Sequence, residues 1–110
     1  MDVSLFIKDF EMGAKVSNKL TELDSLFEFS EKSSDISDST QLIIVDLDNE
    51  ETGNELFIHQ ISVEKNDIKI VGYMKRVQKT NHEKFKTAGC SIILPKSSLV
   101  KNLSTFIESK

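Results

Sequence analysis

The 110-residue chain predicts an α/β domain, a parallel sheet with helices packed on both faces. Three observations lead there. Residues 42–45 (LIIV) form an apolar run without alternation, which is how a strand buried on both faces reads. Asp46 follows at once, and the chain breaks into Asp48, Asn49, Glu50, Glu51 and Gly53 before a helical pattern starts. Along the whole length, short strand-like runs alternate with amphipathic helical patterns, in the order β-α-β-loop-β-α-β-α-β-α. That order implies right-handed crossovers between parallel strands. Ligands and chemistry in such sheets collect at the carboxyl ends of the strands, which makes Asp46 the reference point.

The elements follow in turn. Residues 3–7 (VSLFI) read as a first strand ending in Lys8 and Asp9. Asp9 is a good N-cap, and Met12, Val16, Leu20 and Leu23 recur at helical spacing over about three turns. Leu26, Phe27 and Phe29 suggest a second, weaker strand. Residues 31–40 (EKSSDISDST) read as an exposed loop or a single turn of helix. After the central strand, the spacings Asp48-x-x-Glu51 and Thr52-x-x-Glu55 match capping boxes. Leu56, Phe57, Ile61 and Glu64 mark a helix over residues 54–64, broken by Lys65, Asn66 and Asp67. Residues 68–74 (IKIVGYM) give a fourth strand. Thr80 to Glu83 is another capping-box spacing, for a helix whose apolar face is Phe85 and Ala88 and whose stop is Gly89. Residues 90–94 (CSIIL) give a fifth strand ending at Pro95. Ser97 or Ser98 is expected to cap a last helix carrying Leu99, Val100, Leu103, Phe106 and Ile107.

Composition narrows the function classes. One domain over residues 1–110 is what this length supports. The single Cys90 excludes an internal disulfide and fits a reducing compartment. With no apolar run of membrane-spanning length and no leader pattern at the start, cytoplasmic is the expected location. Residues 1–55 hold 14 acids and 4 bases, whereas residues 56–110 hold 4 acids and 10 bases. The simple reading is a set of solvated faces; the sharper one is an acidic site opposite a basic docking face. His59 and His82 lie on separate predicted helices without metal-ligand spacing, so zinc is not expected. Cys90 reads as a small buried hydrophobe. The stretch DFEMGAK after the first strand has one Gly, which argues against a dinucleotide or P-loop site. Tyr73 and Phe85 are the only aromatics among the bases of residues 65–86, and both are expected to face inward. That argues against nucleic-acid stacking.

Chemistry concentrates at three strand ends: Lys8 and Asp9, then Asp46, then Lys96. Brought together, two carboxylates could hold a hard cation such as Mg²⁺, and a carboxylate beside it could attack phosphorus. The plainer alternative makes Asp46 a strand-end acid that caps its own turn.

With IIVDLD at the third strand, TAGC before the fifth and ILPK at its end, the whole chain resembles a response-regulator receiver domain, in an atypical or pseudo-receiver form. The resemblance implies a flavodoxin-like, doubly wound sheet of order 2-1-3-4-5 and a place in two-component signalling and phosphorelay. It aligns Asp46 with the phosphoacceptor, Lys96 with the phosphoryl-contacting lysine, and Lys8-Asp9 with the acid pair that, with Asp46, holds Mg²⁺. The switch Ser or Thr aligns with Met74, and the neighbouring Tyr73 carries a hydroxyl one residue out of register. Lys8 puts a cation where the family has a metal ligand, and could pair with Asp46 or Asp9. The second helix is shortened to the Ser-rich loop, and Pro95 precedes Lys96 rather than following it. Two readings follow: a phosphorylation-independent protein-interaction module, or a phosphoacceptor served by a histidine kinase. Neither is an enzyme in its own right. The partner, a kinase or an output protein, is expected on the helix bearing Lys79, Lys84 and Lys86, with the fifth strand and last helix. A stand-alone module is the expectation, with a homodimer compatible and no membrane contact.

Overall fold

A computed structural model describes residues 2–65 and 67–108. Five parallel strands, β1 (Asp2–Phe6), β2 (Leu26–Phe29), β3 (Thr40–Asp46), β4 (Lys69–Met74) and β5 (Ile92–Pro95), form one sheet of order β2-β1-β3-β4-β5. Helices α1 (Phe10–Glu22), α2 (Glu55–Glu64), α3 (Lys79–Ala88) and α4 (Lys96–Glu108) cover it on both faces. This is the flavodoxin-like order that the resemblance implies. The second helix of that pattern is reduced to a single 3₁₀ turn, Ser33–Asp35. Asn66, expected within the break after α2, lies outside the described residues.

The missing alternation in β3 has a direct cause. Leu42 and Ile44 face a core completed by Val16 and Leu20 of α1 and Leu99 and Leu103 of α4. Ile43 and Val45 face the other core, with Ile58 and Ile61 of α2 and Phe85 of α3. All four β3 side chains are essentially inaccessible. Each such burial contributes about 1.5–3 kcal/mol relative to exposure. Ile36, the one apolar residue of the Ser-rich segment, is also drawn into the second core.

Local signals divide into two groups. Asp9 caps α1 as expected, its Oδ1 accepting the Met12 N–H at 3.2 Å. Gly89 ends α3 with φ 141° in the left-handed region. The three capping-box spacings do not mark helix starts. Asn54 caps α2, accepting the Leu56 N–H at 2.8 Å, while Thr52 donates its hydroxyl to the Asp46 carbonyl at 2.6 Å. Asp48 and Glu51 lie in the preceding turn. Helix α3 begins after Gln78 without a side-chain cap, which places Thr80 inside its first turn. Helix α4 leaves β5 directly at Lys96, so Ser97 and Ser98 are helical residues and not caps. On α2 the inward stripe is Ile58 and Ile61; Leu56 is 79% exposed, and Phe57 is half-buried edge-on to Phe6.

The turn between β3 and α2 is tight enough to specify glycine. A Cβ on Gly53 would lie 2.0 Å from the Leu47 carbonyl oxygen, whereas one on Gly72 would meet the movable tip of the Leu47 side chain at 2.6 Å. Gly53→Ala is therefore expected to cost about 3 kcal/mol and Gly72→Ala only about 1 kcal/mol. Urea unfolding of the two variants checks this; equal losses would show that the turn backbone adjusts.

Candidate functional site

All strands are parallel, so the β1, β3 and β5 carboxyl ends lie on one edge of the sheet, β1 beside β3 and β5 beyond β4. Lys96 Nζ meets Asp9 Oδ2 at 2.7 Å, across 87 residues of sequence. Asp46 lies within electrostatic reach of both. Asp9 and Lys96 thus meet directly, and Asp46 lies in the same charged neighbourhood without a direct contact to either among the described residues. Lys8 points elsewhere: its Nζ pairs with Glu51 Oε2 at 2.7 Å, in the turn after β3, and with neither Asp9 nor Asp46. The β3–α2 turn holds Glu51 there. Its N–H is bonded to Asn49 Oδ1 at 2.9 Å, and the turn is tied to β3 by the Thr52 hydroxyl.

Asp46 is nearly buried and turns back on its own chain, Oδ1 accepting the Asp48 N–H at 2.9 Å. This is the turn-capping arrangement that a strand-end acid adopts. Burial raises its carboxyl pKa above the usual range; the Asp48 N–H opposes that, Asp48 adds to it, Lys96 opposes it and Asp9 adds to it. Asp9 shifts the other way, lowered by the Lys96 ammonium and then by the Met12 N–H. Lys96 is raised by the same bond to Asp9, and Lys8 by its bond to Glu51.

Tyr73 stands opposite Asp46 in the β3–β4 ladder. It shares the core of Leu42 and Ile44, whereas Met74 turns to the opposite core. Tyr73, not Met74, is therefore the β4 side chain on the Asp46 face. Its hydroxyl is buried and meets no acceptor at hydrogen-bond geometry among the described residues. Burial first, and the Asp46 charge second, raise its pKa. Asp48 adds a link that sequence reasoning missed: its Oδ2 accepts the Lys75 N–H at 2.7 Å, clamping the β4 exit to the β3 exit. A second acid two residues after Asp46 was the available signal. Nothing local announces the Lys8–Glu51 pair.

Magnesium does not suit this donor set as arranged. Both Asp9 oxygens are engaged, one as the helix cap and one by Lys96, and one Asp46 oxygen is held by backbone. Among the described residues no three His, Cys, Asp or Glu groups gather at metal-binding distance. A hard divalent cation wants several unencumbered oxygens. Cys90 is buried, and burial pushes its thiol up to about 12, so it is no nucleophile at neutral pH. Lys79, Lys84 and Lys86 are exposed along α3. Lys79 and Lys86 share one stripe; Lys84 leans toward α2, 4.0 Å from Glu55 and over the Phe85 ring. Among the described residues no helix is long and apolar enough to cross a membrane.

By sequence, the chain matches no protein-family model and no curated protein. Solved structures give a clear likeness. HP1043, an orphan response regulator of H. pylori, superposes with a TM-score of 0.81 at 17% identity, over 99% of this chain and 94% of that one. The non-phosphorylated HemR receiver domain from Leptospira biflexa gives 0.81 at 14%, over 99% and 95%. The BeF3-activated DrrB receiver domain gives 0.77 at 14%, over 97% of each chain. The chain has the receiver-domain fold.

The opposed shifts at Asp46 and Asp9 fix a pH dependence. Asp46, raised in the folded state, binds its proton more tightly there, so stability falls as pH rises from its ordinary value through the raised one. Asp9, lowered, contributes stability that is present above its ordinary value and lost as pH falls through its folded value. Asp46→Asn should remove the first slope, keep the second, and raise stability at neutral pH. Denaturant unfolding across the acid-to-neutral range reads both; a less stable Asn variant at pH 7 would mean the Asp46 charge is favourably held.

Proposed function

We propose that residues 1–110 form one receiver-like signalling domain that acts by protein contact, independently of phosphorylation, in the cytoplasm. The observation that carries this reading is the pairing at the strand ends. Lys96 is engaged with Asp9, and Lys8 is tied to Glu51 on the turn beside Asp46. Cationic side chains thereby supply charge balance that a bound ion would otherwise give. The hydroxyl-bearing Tyr73 is locked in the core, and Met74, at the aligned switch position, has no hydroxyl to offer. The domain binds rather than turns over a substrate. Its partner, another signalling protein, meets the basic surface of Lys79, Lys84 and Lys86. Changing all three to Glu is expected to abolish capture of the partner that the unmodified chain retains; undiminished capture would move the face elsewhere.

A second reading keeps Asp46 as a phosphoacceptor for a histidine kinase, with Lys96 contacting the phosphoryl group. The nearby Lys96 favours it, as does an Asp46 oxygen, Oδ2, that meets no hydrogen-bond donor at bonding geometry among the described residues. A Mg²⁺ and beryllofluoride titration followed by amide NMR separates the two. The first reading expects a flat titration in the native chain and in Asp46→Asn, with Mg²⁺-dependent shifts appearing only in Lys8→Asp. Saturable shifts at Asp9, Asp46 and Lys96 in the native chain, lost in Asp46→Asn, would establish the second.

A further inference from the structure

Strand β2 (LFEF) is an edge of the sheet, and it carries neither Lys nor Pro, the residues that commonly blunt an exposed edge. The Ser30 N–H donates to the Leu5 carbonyl at 2.9 Å, which turns the main chain of Leu26, Glu28 and Ser30 toward β1. By the period-two alternation, the N–H and C=O of Phe27 and Phe29 face outward. Beside this edge, on the α1 side, lies an open groove of about 440 Å³ walled by Ile7, Phe10, Gly13, Ala14, Ser17 and Phe29, with Lys8 and Asp9 closing one end. Its small floor is specific: a Cβ on Gly13 would sit 3.3 Å from the Phe29 ring. The apolar rim is open to solvent, with Phe10 91% and Phe29 54% exposed.

Charge selects the occupant. Lys8, Lys15 and Lys19 are each consumed in an ion pair, with Glu51, Glu11 and Glu22, while the exposed Lys32 just past β2 is in none among the described residues. Asp2, Asp24, Glu28 and Glu31, which flank or lie on the β2 edge, are in no ion pair among the described residues. The edge is thus apolar toward α1 and net acidic along and beyond its ends, Asp2, Asp24, Glu28 and Glu31 standing against Lys32. We propose that β2 accepts an extended segment of a partner protein as an added strand, with apolar side chains entering the α1 groove and Lys or Arg side chains meeting these acids. A short strand gives few main-chain bonds, so the groove supplies the anchor and the acids the register. This surface is separate from the basic α3 face, and at its Lys8–Asp9 end it adjoins the strand-end site.

The test uses the full chain and a synthetic heptapeptide alternating Lys with Val and Leu, followed by amide NMR. Saturable shifts are expected at Phe10, Ala14, Phe27 and Phe29, with slowed exchange of the Phe27 and Phe29 amides. Binding should weaken about tenfold or more when Glu replaces Lys in the peptide, and similarly when its alternate amides are N-methylated. Phe29→Ser and Glu31→Lys, each with an otherwise unchanged spectrum, should weaken it comparably. Absence of saturable binding, shifts centred on α3, equal binding of the Glu or N-methylated peptide, or self-association of the free chain through β2 would each overturn the proposal.

Discussion

The constraint on which this structure rests is the burial of β3 on both faces. Four consecutive aliphatic side chains divide alternately between two cores, so residues 42–45 have no solvated face on which to carry a polar group. Its first charged residue can appear only where the sheet ends, and that residue is Asp46. The helices then follow from the strand. Helices α1 and α4 must cover Leu42 and Ile44, and α2 and α3 must cover Ile43 and Val45, since leaving either face open would forfeit several kcal/mol of burial. Crossovers of one hand bring the exits of β1 and β5 to the same edge as Asp46. The site is a consequence of covering both faces.

What gathers at that edge is governed by how the cations are allocated. Lys96 and Lys8 could each have paired with Asp46. Lys96 instead meets Asp9 and Lys8 meets Glu51, which leaves Asp46 to backbone and burial. Partial desolvation without a direct counter-ion raises a carboxyl pKa, and a direct ammonium contact lowers one, so the two acids shift in opposite directions. The Lys8–Glu51 pair is exposed at both partners and contributes little stability by itself. It joins the β1 exit to the β3–α2 turn, which Thr52, Asn49 and Gly53 already hold close to Asp46. The same turn is tied to the β4 exit through Asp48 and the Lys75 N–H. These contacts make the edge a braced surface with few free ligands.

The fold was legible in the sequence because hydrophobic burial writes a periodic signal. The run at 42–45, the α1 spacing from Met12 to Leu20 and the α4 spacing from Leu99 to Ile107 all correspond to buried faces. Signals that depend on a single hydrogen bond were read less well. Thr52 satisfies a capping-box spacing, yet its hydroxyl is taken by the Asp46 carbonyl, and the neighbouring Asn54 becomes the cap. Leu56 sits beside Phe57 at the start of α2, and only the angle at which that helix meets the sheet decides that Ile58 and Ile61 turn inward. The convergence of Asp9, Asp46 and Lys96 could be anticipated from strand order. The partner of Lys8 lies 43 residues away in an irregular turn, where no periodicity constrains which acid is presented. Tyr73 was harder still, because a ladder shift of one residue moves a side chain to the other face of the sheet.

The reduced second helix links the two ends of the molecule. In a doubly wound sheet, the segment between β2 and β3 would normally supply a helix to cover the sheet beside β1. Here it supplies Ile36 to the core, a 3₁₀ turn, and a string of Ser and Asp residues. Such a segment covers less of the sheet than a helix would. Leu26, on the side opposite α1, stays exposed, while Ser4, Glu28 and Thr40 form a small polar cluster beneath the loop. A polar cluster of this kind holds β1, β2 and β3 in register without an overlying helix, because Glu28 also accepts the Ser37 N–H. The sheet therefore keeps its edge strand in place while leaving both its outer main chain and its apolar rim uncovered. An edge that is stabilised from within and open from without differs physically from one that is merely frayed. Asp2, Asp24, Glu28 and Glu31, in no ion pair among the described residues, leave that edge net acidic.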